Sequence, residues 1–197
     1  MTDHMHENAR SYVGSLKAVL DKVDWTTVDR LADLLFDLWQ DDHQVIIFGN
    51  GGSACTASHY VADVVKTAAV AGERPLRALS LVDNIGVMTA VANDIDYDQT
   101  FAYAINAFAR PGDAAIAISG SGNSPNVVNA CRAARDRGVK LVCLTGFDGG
   151  AIAGLADLHV NVPSDNYGVI EDIHLSIGHM VTQALRAKVT AKAVLQS

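Results

Sequence analysis

The sequence predicts an α/β protein, a doubly wound five-stranded parallel sheet preceded by two N-terminal helices. Three observations lead to that class. Five short segments, "QVIIFG", "RALSLV", "AAIAIS", "KLVCLT" and "LHVNV", are almost continuously apolar, as strands covered on both faces are. Helical stretches alternate with them, which calls for right-handed crossovers and helices on both sides of one sheet. Two glycine-serine loops each stand between a strand and the helix after it.

Taken in order, residues from about 5 to 22 and from about 26 to 40 place apolar residues at helical spacing, with Thr26 or Thr27 as the cap of the second helix. Further helices are expected at about 52 to 67, 83 to 92, 97 to 109, 124 to 137 and 149 to 155, and a last long one at about 168 to 188. With 197 residues, 49% of them hydrophobic, and no linker, the chain reads as one domain. Within it, 1–42 form the helical pair, 43–188 the core, and 189–197 ("TAKAVLQS" at its end) a frayed tail. Trp25, Trp39 and the Leu/Val stripes of the leading helices read as core or subunit interface.

Composition removes several classes of function. No apolar run approaches the roughly 20 residues of a membrane span, and the polar start "MTDHMHENAR" resembles no secretory signal, so a soluble cytoplasmic protein is expected. A net charge of −7 offers no basic stripe for nucleic acid. Cys55, Cys131 and Cys143 are odd in number and lack CxxC spacing; they suit a reducing compartment and are expected to pack.

The two loops carry the chemistry. "GNGGS", Gly49 to Ser53, follows one strand, and "SGSGNS", Ser119 to Ser124, follows another. Glycines such as Gly51, Gly52 and Gly120 let backbone approach an anion, helix N-termini supply free N–H groups, and Ser53, Ser119, Ser121 and Ser124 add hydroxyl donors. In open sheets ligands bind beyond the carboxyl ends of the strands where strand order reverses. Such loops are also ordinary turn chemistry, but two of them favour a phosphate ester. Neither loop fits GxGxxG, and no GxxxxGK[ST] occurs, so no nucleotide cofactor is expected.

After the first loop, His59 and Asp63 stand four apart on one helix face and could share a ligand or a metal. On the last helix Glu171 and His179 are eight apart, about 80° around the axis. Asp172 lies closer to the face of His179, so periodicity alone does not choose between the two acids. His174 reads as packed or solvent-facing, and His4, His6, His43 and His159 join no constellation.

The segments "GNGGSA", "AVANDIDYD", "PGDAAIAISGSGNSPNVVNA", "LTGFDGG", "NVPS" and "EDIHLSIGH", with the two leading helices, resemble the sugar isomerase (SIS) domain family, and within it the sedoheptulose 7-phosphate (phosphoheptose) isomerases. The resemblance covers nearly the whole chain. It implies a flavodoxin-like five-stranded sheet, a homotetramer with active sites between subunits, and a phosphorylated sugar as substrate. By match to the family motifs, the serine loop and Ser53 hold the phosphate, Asn50 and Asp94 contact sugar hydroxyls, and Asp63 and His179 are the catalytic acid and base. Some relatives bind zinc through four residues that fall here on His59, Asp63, Glu171 and His179.

The chain departs from that pattern at four places. The family's catalytic glutamate is Asp63, one methylene shorter, so its carboxylate would sit roughly 1 Å back. The usual glutamine is Glu171, which adds a negative charge; two histidines and two carboxylates suit zinc or another divalent ion. The usual threonine of the serine loop is Gly120, and a usual arginine is Thr67. A ketose–aldose interconversion through an enediol needs one base and one acid, one on each side of the sugar, and Asp63 with His179 supplies them. A different sugar phosphate, or a non-catalytic phosphosugar-binding module, stays open at this point.

Overall fold

The computed structural model describes residues 2–196, and the side chains of 7–195. His4 and His6 therefore lie outside the described side chains. Five strands, β1 (Gln44–Gly49), β2 (Arg77–Ser80), β3 (Ala114–Ser119), β4 (Lys140–Thr145) and β5 (Leu158–Asn161), form one parallel sheet in the order β2-β1-β3-β4-β5. Eight α-helices accompany them: α1 (Thr2–Leu20), α2 (Trp25–Gln40), α3 (Gly52–Ala62), α4 (Ile85–Asp94), α5 (Thr100–Phe108), α6 (Pro125–Asp136), α7 (Gly150–Ala153) and α8 (Tyr167–Gln196).

The continuous hydrophobicity of the strands has the expected cause. Side chains alternate across a strand, and here both faces are covered. Val45 and Ile47 of β1, Ile116 of β3 and Val142 of β4 pack with α2, α3 and α8 in one core. Ile46 and Phe48, Ala115 and Ala117, Leu141 and Cys143 point the other way, into a second core with α5, α6 and α7. All of these strand residues are 0–1% exposed.

Chain order reverses between β1 and β3, which lie side by side with Gly49 opposite Ile118. The loops after these two strands therefore emerge next to one another, and their helices leave towards opposite faces of the sheet. This juxtaposition brings together two loops that are about 70 residues apart in sequence, at the kind of edge where open sheets bind ligands.

Several local expectations are corrected. The cap of α2 is Asp24, whose carboxylate accepts from the Thr26 N–H at 3.0 Å, so the helix starts earlier than Thr26 or Thr27 would allow. The stretch expected to fray continues α8 as helix to Gln196. Cys131 and Cys143 pack in the core, but Cys55 is exposed on α3. Beyond Ala62 the expected single helix changes its winding: Asp63–Thr67 form a π turn, closed by the Ala68 N–H donating to the Asp63 carbonyl at 2.9 Å. Among the described residues no helix is long and apolar enough to cross a membrane.

Candidate active site

Both predicted loops face one pocket of about 240 Å³. Asn50 to Ser53 supply one side, Ser119 to Ser121 and Ser124 the other, and Tyr167 and Glu171 descend from the first turns of α8. Gly51 turns the chain into α3 at φ 57°, a left-handed value that favours glycine. Ser119 Oγ accepts from the Gly122 N–H at 3.1 Å, which holds the serine loop closed. Ser124 stands at the N-cap of α6 with no cap hydrogen bond of its own, and Pro125 follows at the first helical position. Ser124 lines the pocket.

α8 lays one side chain on each loop. The carboxylate of Glu171 lies directly over Gly52, where any Cβ would overlap it, and a Cβ on Gly120 would stand 3.0 Å from the Tyr167 ring. Of the two acids that periodicity left open, neither joins the His59–Asp63–His179 group. Glu171 lines the cradle, whereas Asp172 points to α1 and accepts from the Tyr12 hydroxyl at 2.6 Å. That bond to a carboxylate pushes the Tyr12 phenol up to about 12.

Asn50 is held within the protein by a reciprocal amide pair. Its Nδ2 donates to Asn126 Oδ1 at 2.8 Å, Asn126 Nδ2 donates back to its Oδ1 at 2.9 Å, and the Tyr97 hydroxyl donates to the same oxygen at 3.1 Å. Asn126 and Tyr97 were missed in the sequence. The only signals there were the asparagine two residues after Ser124 in "SGNSPN" and the tyrosine in "NDIDYD". Asp94 ends α4 on the surface, accepting from Asn93 Nδ2 at 2.8 Å, and does not line the pocket.

A second group of residues stands further along the same helices. Asp63 Oδ2 is 2.8 Å from His179 Nδ1 and 3.4 Å from His59 Nε2. The two imidazoles meet edge to face with centroids 5.0 Å apart. One donor atom from each residue lies within 4.8 Å of the others, a set able to hold a metal ion. Three of the four expected ligands thus come together, and Glu171 does not join them. These three also do not line the cradle. By helix rise His179 lies on the order of 12 Å along α8 from Glu171.

The approach of α3 to α8 rests on Tyr60 and Gly178. The Tyr60 ring fills the place where a Cβ on residue 178 would be, and its hydroxyl donates to the His174 carbonyl. Full burial raises the Tyr60 phenol above its ordinary value. Because a carboxylate only accepts, His179 donates from Nδ1. The other oxygen of Asp63 accepts from Thr67 Oγ1 at 3.1 Å. Thr67, where the family's arginine falls, holds the carboxylate instead. The pair expected to flank a sugar from two sides is in direct contact within one chain. The π turn and α8 also meet at Arg186, whose Nη1 donates to the Thr67 carbonyl at 3.1 Å.

His174, left open in the sequence, is buried. Its Nε2 donates to the Thr145 carbonyl at 3.1 Å, Nδ1 has no partner, and burial pushes the imidazole down to about 4. His159 lies 2.7 Å from Thr145 Oγ1 and is likewise lowered by burial. Neither belongs to the site.

Comparison with known proteins agrees with this geometry. Residues 11–146 match the SIS domain family. A phosphoheptose isomerase of Mycobacterium tuberculosis is 41% identical over 164 residues, covering 83% of each chain. One from an Enterobacter species is 35% identical over 184 residues, covering 93% of each. The solved phosphoheptose isomerase of Neisseria gonorrhoeae superposes with a TM-score of 0.86 at 28% identity, over 93% of this chain and 99% of its own. With the family match over most of the chain and this degree of identity, the chain belongs to the SIS domain family and, within it, to the phosphoheptose isomerases.

Proposed function

We propose that the protein is a phosphosugar isomerase that converts sedoheptulose 7-phosphate into a D-glycero-heptose 7-phosphate. The observation that carries this reading is the pairing, on one chain, of a two-loop phosphate cradle with a carboxylate–imidazole dyad. The reaction is an internal proton shift, so it needs no nucleotide cofactor.

The cradle would hold the 7-phosphate by the loop serines and the N-terminal N–H groups of α3 and α6. The open-chain ketose would then present its carbonyl end to the dyad. His179, oriented by its Nδ1–H···Asp63 hydrogen bond, takes the proton from the carbon beside the carbonyl on Nε2 of its neutral form. Electrons move to the carbonyl oxygen and an enediol forms. Asp63 stabilises the imidazolium, which returns the proton to the neighbouring carbon, while the oxygens exchange theirs. His59, Asp63 and His179 would alternatively hold zinc or another divalent ion, which when bound would polarise the sugar carbonyl; His179 would then serve as a ligand in place of its role as base.

A homotetramer with sites between subunits fits the apolar side chains left exposed on several helices, among them Val13 of α1, Tyr103 and Phe108 of α5, and Met180 of α8. His59 and His179 are each 47% exposed, which leaves room for a second subunit to close the dyad. The cytoplasm suits three unpaired cysteines.

The test is incubation with sedoheptulose 7-phosphate in deuterated water, with and without zinc. Formation of the aldose with solvent deuterium at the exchanging carbon is expected. Asp63→Asn and His179→Gln should each lower kcat by about 100-fold or more. Absence of both aldose and exchange rejects the reading.

A further inference from the structure

Two residues, Ser121 and Tyr167, stand between the cradle and its neighbouring cleft. Tyr167 and Ser121 line the 240 Å³ cradle and also a second, larger cleft of about 490 Å³, whose other walls are Asn123, Phe147 and Asp148. The Tyr167 ring is held from two sides. Phe147 meets it edge to face at 5.1 Å, and Gly120 lies so close beneath that a Cβ there would be 3.0 Å from Cδ1 and Cε1. Phe147 is itself fixed, at φ 47° with its N–H donating to the Ser164 carbonyl at 2.9 Å.

We propose that Tyr167 is a specificity-determining residue that closes the outer side of the phosphate cradle, so that the site takes a terminal phosphate monoester and rejects a phosphate bearing a second ester. This rests on the reading of the cradle as a phosphosugar site. A monoester offers three free oxygens, all of which the surrounding donors can meet. A diester must send one substituent out of the cradle, and on the side of the larger cleft the ring stands in its way. Removing the ring joins the two spaces. The contact is made by the ring edge, so the wall depends on the ring and not on its hydroxyl.

The experiment is calorimetric measurement of Kd for sedoheptulose 7-phosphate and for its phosphate O-methyl ester. It uses the full chain, Tyr167→Ala, Tyr167→Phe, Gly120→Thr and the Gly120→Thr/Tyr167→Ala double variant. The unaltered protein and Tyr167→Phe should prefer the monoester. Tyr167→Ala should narrow the preference by about tenfold through tighter binding of the methyl ester. Gly120→Thr, whose Cβ pushes the ring back by a few tenths of an ångström, should narrow it less, and the double variant should match Tyr167→Ala. An unchanged preference in Tyr167→Ala, or one narrowed only by weaker monoester binding, overturns the proposal. Turnover is measured separately: monoester binding without turnover defeats the isomerase reading and leaves the wall intact. Binding of neither ester by the unaltered protein defeats both.

Discussion

Thr67 Oγ1 donates to Asp63 Oδ1 at 3.1 Å, one turn back along the chain, and this leaves Oδ2 to face both histidines. A side-chain hydrogen bond of this kind contributes about 1 kcal/mol. Thr67→Val should therefore lower kcat by about fivefold to tenfold with KM little changed, while Thr67→Ser keeps activity. Steady-state kinetics on sedoheptulose 7-phosphate checks it, and equal behaviour of the two variants would show that Thr67 does not position the carboxylate.

Gly178 is the contact on which the dyad is assembled, because the Tyr60 ring occupies its Cβ position. Forcing a methyl group into that packing costs about 1–3 kcal/mol. Gly178→Ala should lower the urea midpoint accordingly and also move His179 away from Asp63. Loss of activity larger than the loss of stability, measured well below the unfolding transition, is the expected sign.

Acid stability should show the mark of His174. Its imidazole is pushed down to about 4 from an ordinary 6.5, so the folded state holds it neutral. Below about pH 6.5 the unfolded chain gains a proton that the folded chain does not. The residue's contribution is thus whole above that pH, is lost as pH falls towards 4, and is level below. The full amount is about 3 kcal/mol. Urea titrations at pH 7 and pH 4.5 should show a smaller drop for His174→Gln than for the unaltered protein.

Glu171 puts a carboxylate into the pocket proposed to hold the phosphate. Glu171→Gln should tighten binding of sedoheptulose 7-phosphate by about tenfold, equivalent to roughly 1.4 kcal/mol. A Kd that is unchanged or weaker would mean that the carboxylate swings clear of the phosphate when the ligand enters.

Much of this was legible in the residues because the signals were local. Unbroken apolar strands, alternating helices and two strand-loop-helix junctions specify a doubly wound sheet, and the order reversal at β1 and β3 then has to bring Ser53 and Ser119 to one edge. What was hidden depends on through-space packing. Helical periodicity could not separate Glu171 from Asp172; Tyr12 on α1 takes Asp172, and Glu171 lines the cradle. The Asn50–Asn126 amide pair joins residues 76 apart and leaves no pattern in either segment. The contact of Tyr167 with Gly120 is of the same kind: a glycine in a loop reads as turn chemistry until the ring that presses on it is seen.

The π turn at Asp63–Thr67 has a consequence for how the protein can change. A helix wound with one residue to spare is weaker than its regular neighbours and is commonly kept where chemistry needs it. Here it sets the angle at which the carboxylate leaves the backbone. A change of winding confined to these five residues would re-aim the Asp63 carboxylate and break the Arg186–Thr67 contact with α8, while the sheet and the two loops lie elsewhere in the fold. Evolution of this site towards a shorter or longer sugar could proceed by that adjustment.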